Sequence, residues 1–148
     1  MSVKTILTAK GGTIISIEPT ADLATAAKVL STHRIGALVV LDPGGRLLGI
    51  LSERDIVRTM AYVGSAVLQV LVSQVMTRKV STCDVTDSIS SVMERMTKGK
   101  FRHMPVLQND RLAGMLSVGD VLKSQIETMD EQIRQLESSI VELNLMKL

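Results

Sequence analysis

The sequence predicts an α/β (α+β) fold: two pseudo-symmetric β-α-β-β-α units packed as one module, followed by a long C-terminal helix. Two internal echoes and one apolar period lead there. Gly49-Ile50-Leu51-Ser52-Glu53-Arg54-Asp55-Ile56-Val57 returns 65 residues later as Gly114-Met115-Leu116-Ser117-Val118-Gly119-Asp120-Val121-Leu122. Upstream, Ile35 to Leu41 answers Phe101 to Leu107 at an offset of 66. The one-residue slip falls where Asp42-Pro43-Gly44-Gly45 faces the shorter Gln108-Asn109-Asp110, a turn, where a change of length is tolerated. A duplicated supersecondary unit places any cleft between its copies in the molecule twice.

In the first unit, Thr13 to Ile17 is a short β-branched run ended by Pro19. Thr20 or Asp22 can cap a helix whose Leu23, Ala26, Ala27 and Leu30 share one face. Ile35 to Leu41 is a continuous apolar run, suited to a strand covered on both sides. The turn at Asp42 to Gly45 then returns the chain as a strand over Arg46 to Leu51. Tyr62 to Gln74 reads as connecting chain with a short helix over Ala66 to Val72. The second unit repeats the order: a strand at Val80 to Thr82, a helix opened by Asp87 with Ile89, Val92, Met93 and Met96 inward, and a strand pair over Met104 to Leu107 and Leu112 to Leu116. Units of about 50 residues are marginal alone, so the two are expected to share their apolar faces.

The C-terminal stretch has a different rhythm. Leu122, Ile126, Met129, Ile133, Leu136, Ile140 and Leu143 alternate steps of four and three, a heptad seam. One reading folds this helix back onto its own domain. The favoured one pairs it with a second copy, because the helix outgrows a globule of this size.

Composition narrows the function. Seventeen basic and fifteen acidic side chains are nearly balanced, and no dense basic run points to nucleic acid. Only Tyr62 and Phe101 are aromatic, too few for a stacking platform. Cys83 is alone, which fits a reducing cytoplasm, and the start lacks the apolar core of a secretory signal. No apolar run reaches the length of a membrane helix. The expectation is a soluble cytoplasmic protein without nucleic-acid or membrane partners. Two histidines and one cysteine without ligand spacing make a metal centre unexpected, and neither phosphate-loop glycine pattern occurs. His33 reads as a partner for helix-end carbonyls, the matched Arg34 and Lys100 as solvated charges, and the nine methionines as core filler.

The chemistry concentrates at two strand-to-helix junctions, Ser52-Glu53-Arg54-Asp55 and Ser117-Val118-Gly119-Asp120. The amides at a helix start attract phosphate, a serine there can donate to it, and a carboxylate three residues on can accept from a ribose diol. The same spacing also makes a capping box. Its duplication, with a glycine three residues before each serine, shifts the reading toward a ligand site.

This pattern resembles the nucleotide-binding signature of cystathionine-β-synthase (CBS) domains, and the tandem resembles a stand-alone CBS pair, or Bateman module. Val75-Met76-Thr77, Arg102-His103-Met104-Pro105-Val106 and Ser52-Glu53-Arg54-Asp55-Ile56-Val57 carry the likeness. It divides the chain into a first repeat at 6–62, a connecting segment at 63–74, a second repeat at 75–126 and a helical extension at 127–148.

The resemblance implies two adenosine-ligand clefts between the repeats. Carried over residue by residue, one joins Ser117, Gly119 and Asp120 to Ser16, Ala21, Ile35 and Gly36, with Arg102 and His103 on the phosphate side. The other joins Ser52, Arg54 and Asp55 to Thr82, Asp87, Phe101 and Arg102. Since Gly36-Ala37 stands where the second repeat has Arg102-His103, the clefts are expected to differ in affinity or ligand. AMP is the first candidate, NAD or NADH the second; ATP, ADP and S-adenosylmethionine also fit. The implied protein is a non-catalytic sensor, homodimeric, reporting to a separate effector protein. The alternative is a structural homodimeric adaptor with vestigial sites.

Overall fold

The computed structural model describes residues 2–11 and 13–147; Met1, Gly12 and Leu148, the last residue of the expected extension, lie outside the described residues. The chain runs α1 (Val3–Lys10), β1 (Ser16–Ile17), α2 (Leu23–His33), β2 (Ala37–Leu41), β3 (Leu47–Ser52) and α3 (Glu53–Val63). A 3-10 turn (Gly64–Gln69) and α4 (Val72–Val75) lead into β4 (Cys83–Asp84), α5 (Ile89–Gly99), β5 (His103–Gln108), β6 (Arg111–Ser117) and α6 (Val118–Met146).

The strands form two equivalent three-stranded sheets, β1-β2-β3 and β4-β5-β6. In each, the short first strand pairs parallel with the second and the second pairs antiparallel with the third. The two hairpins differ as their sequences require. Asp42 Oδ1 accepts from the Arg46 amide at 2.8 Å and Gly45 takes φ 85°. In the shorter turn Asn109 and Asp110 both take positive φ, 51° and 61°, the two-residue turn that matches strand twist.

Several boundaries move from the sequence expectation. The first strand keeps only Ser16–Ile17, and the strand expected at Val80 to Thr82 lies at Cys83–Asp84, where inward alternation begins with buried Cys83 and Val85. Burial pushes the Cys83 thiol up to about 11. Asp22 caps α2, accepting from the Thr25 amide at 2.8 Å, but α5 is capped by Ser88 rather than opened by Asp87. The connecting segment holds a 3-10 turn and a four-residue helix, not one helix over Ala66 to Val72.

The apolar core is divided into two clusters instead of being shared as one. Leu23, Ala26, Leu30, Leu38, Val40 and Leu51 fill the first, and Ile89, Val92, Met96, Met104, Val106 and Leu116 fill the second. Their closure is crossed. Val3 and Ile6 of α1 pack into the second repeat's cluster, while Val67, Val72 and Met76, which precede the second repeat, pack into the first. The backbone clasps match: Val3 and Lys4 donate to the Asp87 and Val85 carbonyls, each at 3.0 Å, and Leu23 and Val72 exchange bonds with Val70 and Ala21 at 2.8 Å. On the opposite face of β2, Ala37 and Val39 are buried too, as is Pro105 at the position matching Val39. This answers the size problem: each repeat completes its core with chain that precedes the other.

Helix α6 has 29 residues and extends about 43 Å at the usual rise. Val121 and Ser124 are buried, but the seam side chains from Leu122 to Leu143 are between 48% and 64% exposed. Its own domain leaves the seam uncovered, which removes the fold-back reading. No described helix is long and apolar enough to cross a membrane.

Candidate functional site

Both Ser-x-x-Asp junctions are capping boxes. The Ser52 amide donates to Asp55 Oδ2 at 2.8 Å, and Ser117 does the same to Asp120 Oδ2 at 2.8 Å. In return the Asp55 and Asp120 amides donate to the serine hydroxyls at 3.4 and 3.1 Å. The next amides are also spent: Glu53 donates to the Gly36 carbonyl at 2.9 Å and Val118 to the Arg102 carbonyl at 2.8 Å. Each helix start is thereby tied to the first turn of its neighbouring strand. Among the described residues, Oδ1 of neither carboxylate accepts a hydrogen bond, so each capping aspartate keeps one oxygen for another partner.

The matched glycines have a packing reason. A Cβ on Gly49 would lie 2.7 Å from the Thr77 carbonyl oxygen, and one on Gly114 would lie 2.8 Å from Leu7 Cδ2. The crossed segments pass directly over these strand positions. The spacing that shifted the sequence reading toward a ligand is fully used by the exchange.

A cleft nevertheless opens beside each junction, about 290 Å³ at Asp55 and 320 Å³ at Asp120, at the lower end of ligand-cavity sizes. The Asp55 cleft brings together Ser52, Arg54, Asp55, Phe101 and Arg102 of the expected set, with Gly36 and His103. Thr82 and Asp87 do not line it. Arg95 ties them into the turn before α5, reaching Asp87 Oδ2 at 2.7 Å and the Thr82 carbonyl at 2.8 Å. Thr77, Lys79, Val80 and Ser81 line the wall instead, together with Arg58 and Lys100.

The Asp120 cleft brings together Ile35, Gly36, His103, Ser117 and Asp120. Ser16, Ala21 and Gly119 do not line it; Ala21 is engaged in the clasp with α4, and Gly119 points out on the exposed side of α6. In both clefts the wall is made by residues just before the first strand, here Thr13, Ile14 and Ile15, because that strand pairs beyond the mouth: Ser16 already sits opposite Val39. Arg102, expected on the phosphate side of the Asp120 cleft, lines the Asp55 cleft only.

His103 forms the partition. A Cβ on Gly36 would lie 3.3 Å from its Cε1, and the ring lines both clefts. Burial lowers its pKa below the ordinary 6.5, against the opposing charges of Glu53 and Asp120.

The clefts differ most at their carboxylates. Lys10, at the end of α1, places Nζ 2.8 Å from Asp120 Oδ2 and 2.9 Å from the Met115 carbonyl oxygen. Burial works to raise the Asp120 pKa, yet the Lys10 and Ser117 hydrogen bonds outweigh it and hold the carboxyl below its ordinary 3.8. Among the described residues, Asp55 has no cation within ion-pair distance. Lys10, Arg58 and Lys79 carried no sequence signal as cleft residues. Arg34 and Lys100, read from the sequence as solvated charges, both end a helix in the left-handed conformation, at φ 53° and 55°, and each lines one cleft.

Two copies of a small α/β unit, closed by exchanged segments and with Gly36, Ala37 and His103 lining both clefts, define a paired-repeat module. The chain belongs to the CBS-domain family: the CBS domain model matches residues 5–62 and 72–127. A mitochondrial CBS domain-containing protein of Arabidopsis thaliana, CBSX3, is 33% identical over 119 residues, covering 78% of this chain but 58% of the relative, so the chain spans little more than half of that protein. The crystal structure of the CBS-domain protein ATU1752 from Agrobacterium tumefaciens superposes with a TM-score of 0.82 at 44% identity, over 84% of this chain and 99% of that one. The CBS domain pair of protein MJ0100, solved in complex with 5′-methylthioadenosine and S-adenosyl-L-methionine, matches with a TM-score of 0.77 at 26% identity, over 86% of this chain and 98% of that one. Proteins of this family are generally regulatory, non-catalytic modules.

Proposed function

We propose that this chain is an adenine-nucleotide-binding regulatory module that reports ligand state to a separate effector protein. The observation that carries this reading is the duplicated junction, in which a helix-start serine and an aspartate with a spare oxygen open onto a cleft walled by the other repeat. AMP is the minimal ligand: one diol for the aspartate, one phosphate for the neighbouring cations. NAD or NADH is second, since an adenylate half fills the cleft and the remainder projects outward. The adenosyl ligands in the MJ0100 complex support the class.

Ligand in either cleft bridges the two repeats. It changes their relative orientation or rigidity only by as much as it binds one arrangement better than the other. The exposed seam of α6 supports a homodimer, in which two ligand states are read out by one assembly. No catalytic step is assigned to the chain.

Isothermal titration with AMP tests the reading. Saturable binding that is lost in the Asp55→Asn/Asp120→Asn double variant supports it. Absence of any response to AMP and NAD, together with unchanged assembly in that variant, favours the structural adaptor, for which the uncovered seam is the specific observation.

A further inference from the structure

The duplication supplies an internal control, because matched positions of the two clefts show where charge has been added to one and not the other. Three cations of the Asp55 cleft have uncharged counterparts at the matched positions of the other repeat: Gly119 for Arg54, Thr13 for Lys79 and Gly36 for Arg102. Arg58 and Lys100 add two more. Among the described residues none of the five makes an ion pair, so they converge on one cleft opposed only by Glu53 and Asp55. In the Asp120 cleft the balance is different. Lys10 is spent on Asp120, which leaves Arg34 as the one lysine or arginine without an ion pair among the described residues that line it.

Unpaired cations gathered around a cavity repel one another and create a field that a multiply charged anion relieves. From this partition of charge we infer that the Asp55 cleft selects an adenosine ligand with a pyrophosphate or longer chain, while the Asp120 cleft takes an adenosine ligand of low charge. This rests on the adenine-nucleotide reading above and adds the ligand class of each cleft. Arg54, in the first turn of α3, and Arg102, just before β5, line the cleft with Ser52, where the first phosphate would be held. Lys79, on the loop before β4, and Lys100, at the end of α5, extend the cationic wall away from it. The arrangement has no use for adenosine alone.

The test is titration with AMP, ADP, ATP and NAD in magnesium-free buffer, on the native chain, on Asp55→Asn, and on Arg54→Ala/Lys79→Thr. The last variant removes two exposed cations whose side chains make no hydrogen bond among the described residues, so its fold is expected to hold. Exposed ion pairs are each worth up to about fivefold in binding. ATP should therefore bind the native protein about tenfold or more tighter than AMP. Asp55→Asn should abolish this tight event, Arg54→Ala/Lys79→Thr should collapse the ATP-to-AMP ratio toward one, and added salt should compress it. A stronger gain for ATP than for NAD identifies a terminal polyphosphate; equal gains identify the shared pyrophosphate. AMP bound as tightly as ATP, or a ratio that survives Arg54→Ala/Lys79→Thr, overturns the inference while leaving the adenine reading intact. Inorganic tripolyphosphate separates the remaining case: if it binds and no nucleotide does, the anion cleft stands and the adenine reading falls, and if nothing binds both fall.

Discussion

Lys10 and Asp120, 110 residues apart in sequence, meet at 2.8 Å across the repeats, so the last residue of α1 holds Oδ2 of the carboxylate whose Oδ1 is left for a ribose hydroxyl. The matched Asp55 has no such occupant among the described residues. A ligand that reaches Asp120 through Oδ1 meets a carboxylate whose charge the chain itself already offsets. Lys10→Met is expected to tighten AMP binding at that cleft several-fold and leave the Asp55 cleft unchanged, as read by calorimetry in the Asp55→Asn background. The pair is partly exposed, and its loss should cost less than about 1 kcal/mol of stability. Weaker AMP binding in Lys10→Met would show instead that Lys10 moves onto the ligand.

His103 gives a second prediction through its burial between the clefts. Its pKa is lowered in the folded state, so below the ordinary 6.5 the unfolded chain binds a proton that the folded chain resists. The stability this histidine contributes is fully present above that value and is lost as pH falls from there toward the folded pKa. Denaturant midpoints measured between pH 7.5 and 5.5 should decline, and His103→Asn should flatten the decline. A variant with the native slope would remove His103 from the account.

Gly49 and Gly114 predict unequal costs for the same substitution. An added methyl at Gly49 meets the Thr77 backbone oxygen at 2.7 Å and Met76 Sδ at 2.9 Å, whereas at Gly114 it meets the end of a leucine side chain. Backbone cannot turn aside, and Leu7 can. Gly49→Ala should destabilise by about 1–3 kcal/mol and Gly114→Ala by less, compared by urea denaturation. Equal costs would mean that the Met76–Thr77 segment yields as readily as the Leu7 side chain.

These glycines also mark how far the sequence could be read. Their matched spacing was visible, but its cause was not, since the segments they accommodate lie elsewhere in the chain. Local signals served well: the Asp22 cap, the Asn109-Asp110 turn and both Ser-x-x-Asp helix starts follow from neighbours in sequence. What escaped was set by long-range closure. Helix α1 carries little pattern of its own and is defined by packing Val3 and Ile6 into the other repeat. The family resemblance puts Thr82 and Asp87 in the Asp55 cleft, but neither lines it, and Arg95 bonds both in the turn before α5. Arg102 is expected in both clefts and lines only the Asp55 cleft, while its neighbour His103 lines both.

The seam of α6 yields the last prediction. From Leu122 to Leu143 its seam side chains are about half or more exposed, and residues 129 to 147 are all exposed, so beyond its buried start this helix derives no cover from the repeats. An isolated helix with one apolar stripe is stable in water when a partner covers the stripe, and the four-three spacing fits a second helix of the same kind. Sedimentation at micromolar concentration should give a dimer. Ile133→Lys/Leu136→Lys places charges on two adjacent seam positions and should shift the mass to monomer. Because neither residue touches the two core clusters, the denaturation midpoint of the repeats should stay within the range of ordinary surface substitutions, about 0.5 kcal/mol. AMP binding that survives dissociation would place each cleft within one chain. Binding lost with the dimer would make assembly a condition for sensing, and a native chain already monomeric would assign the seam to a different partner.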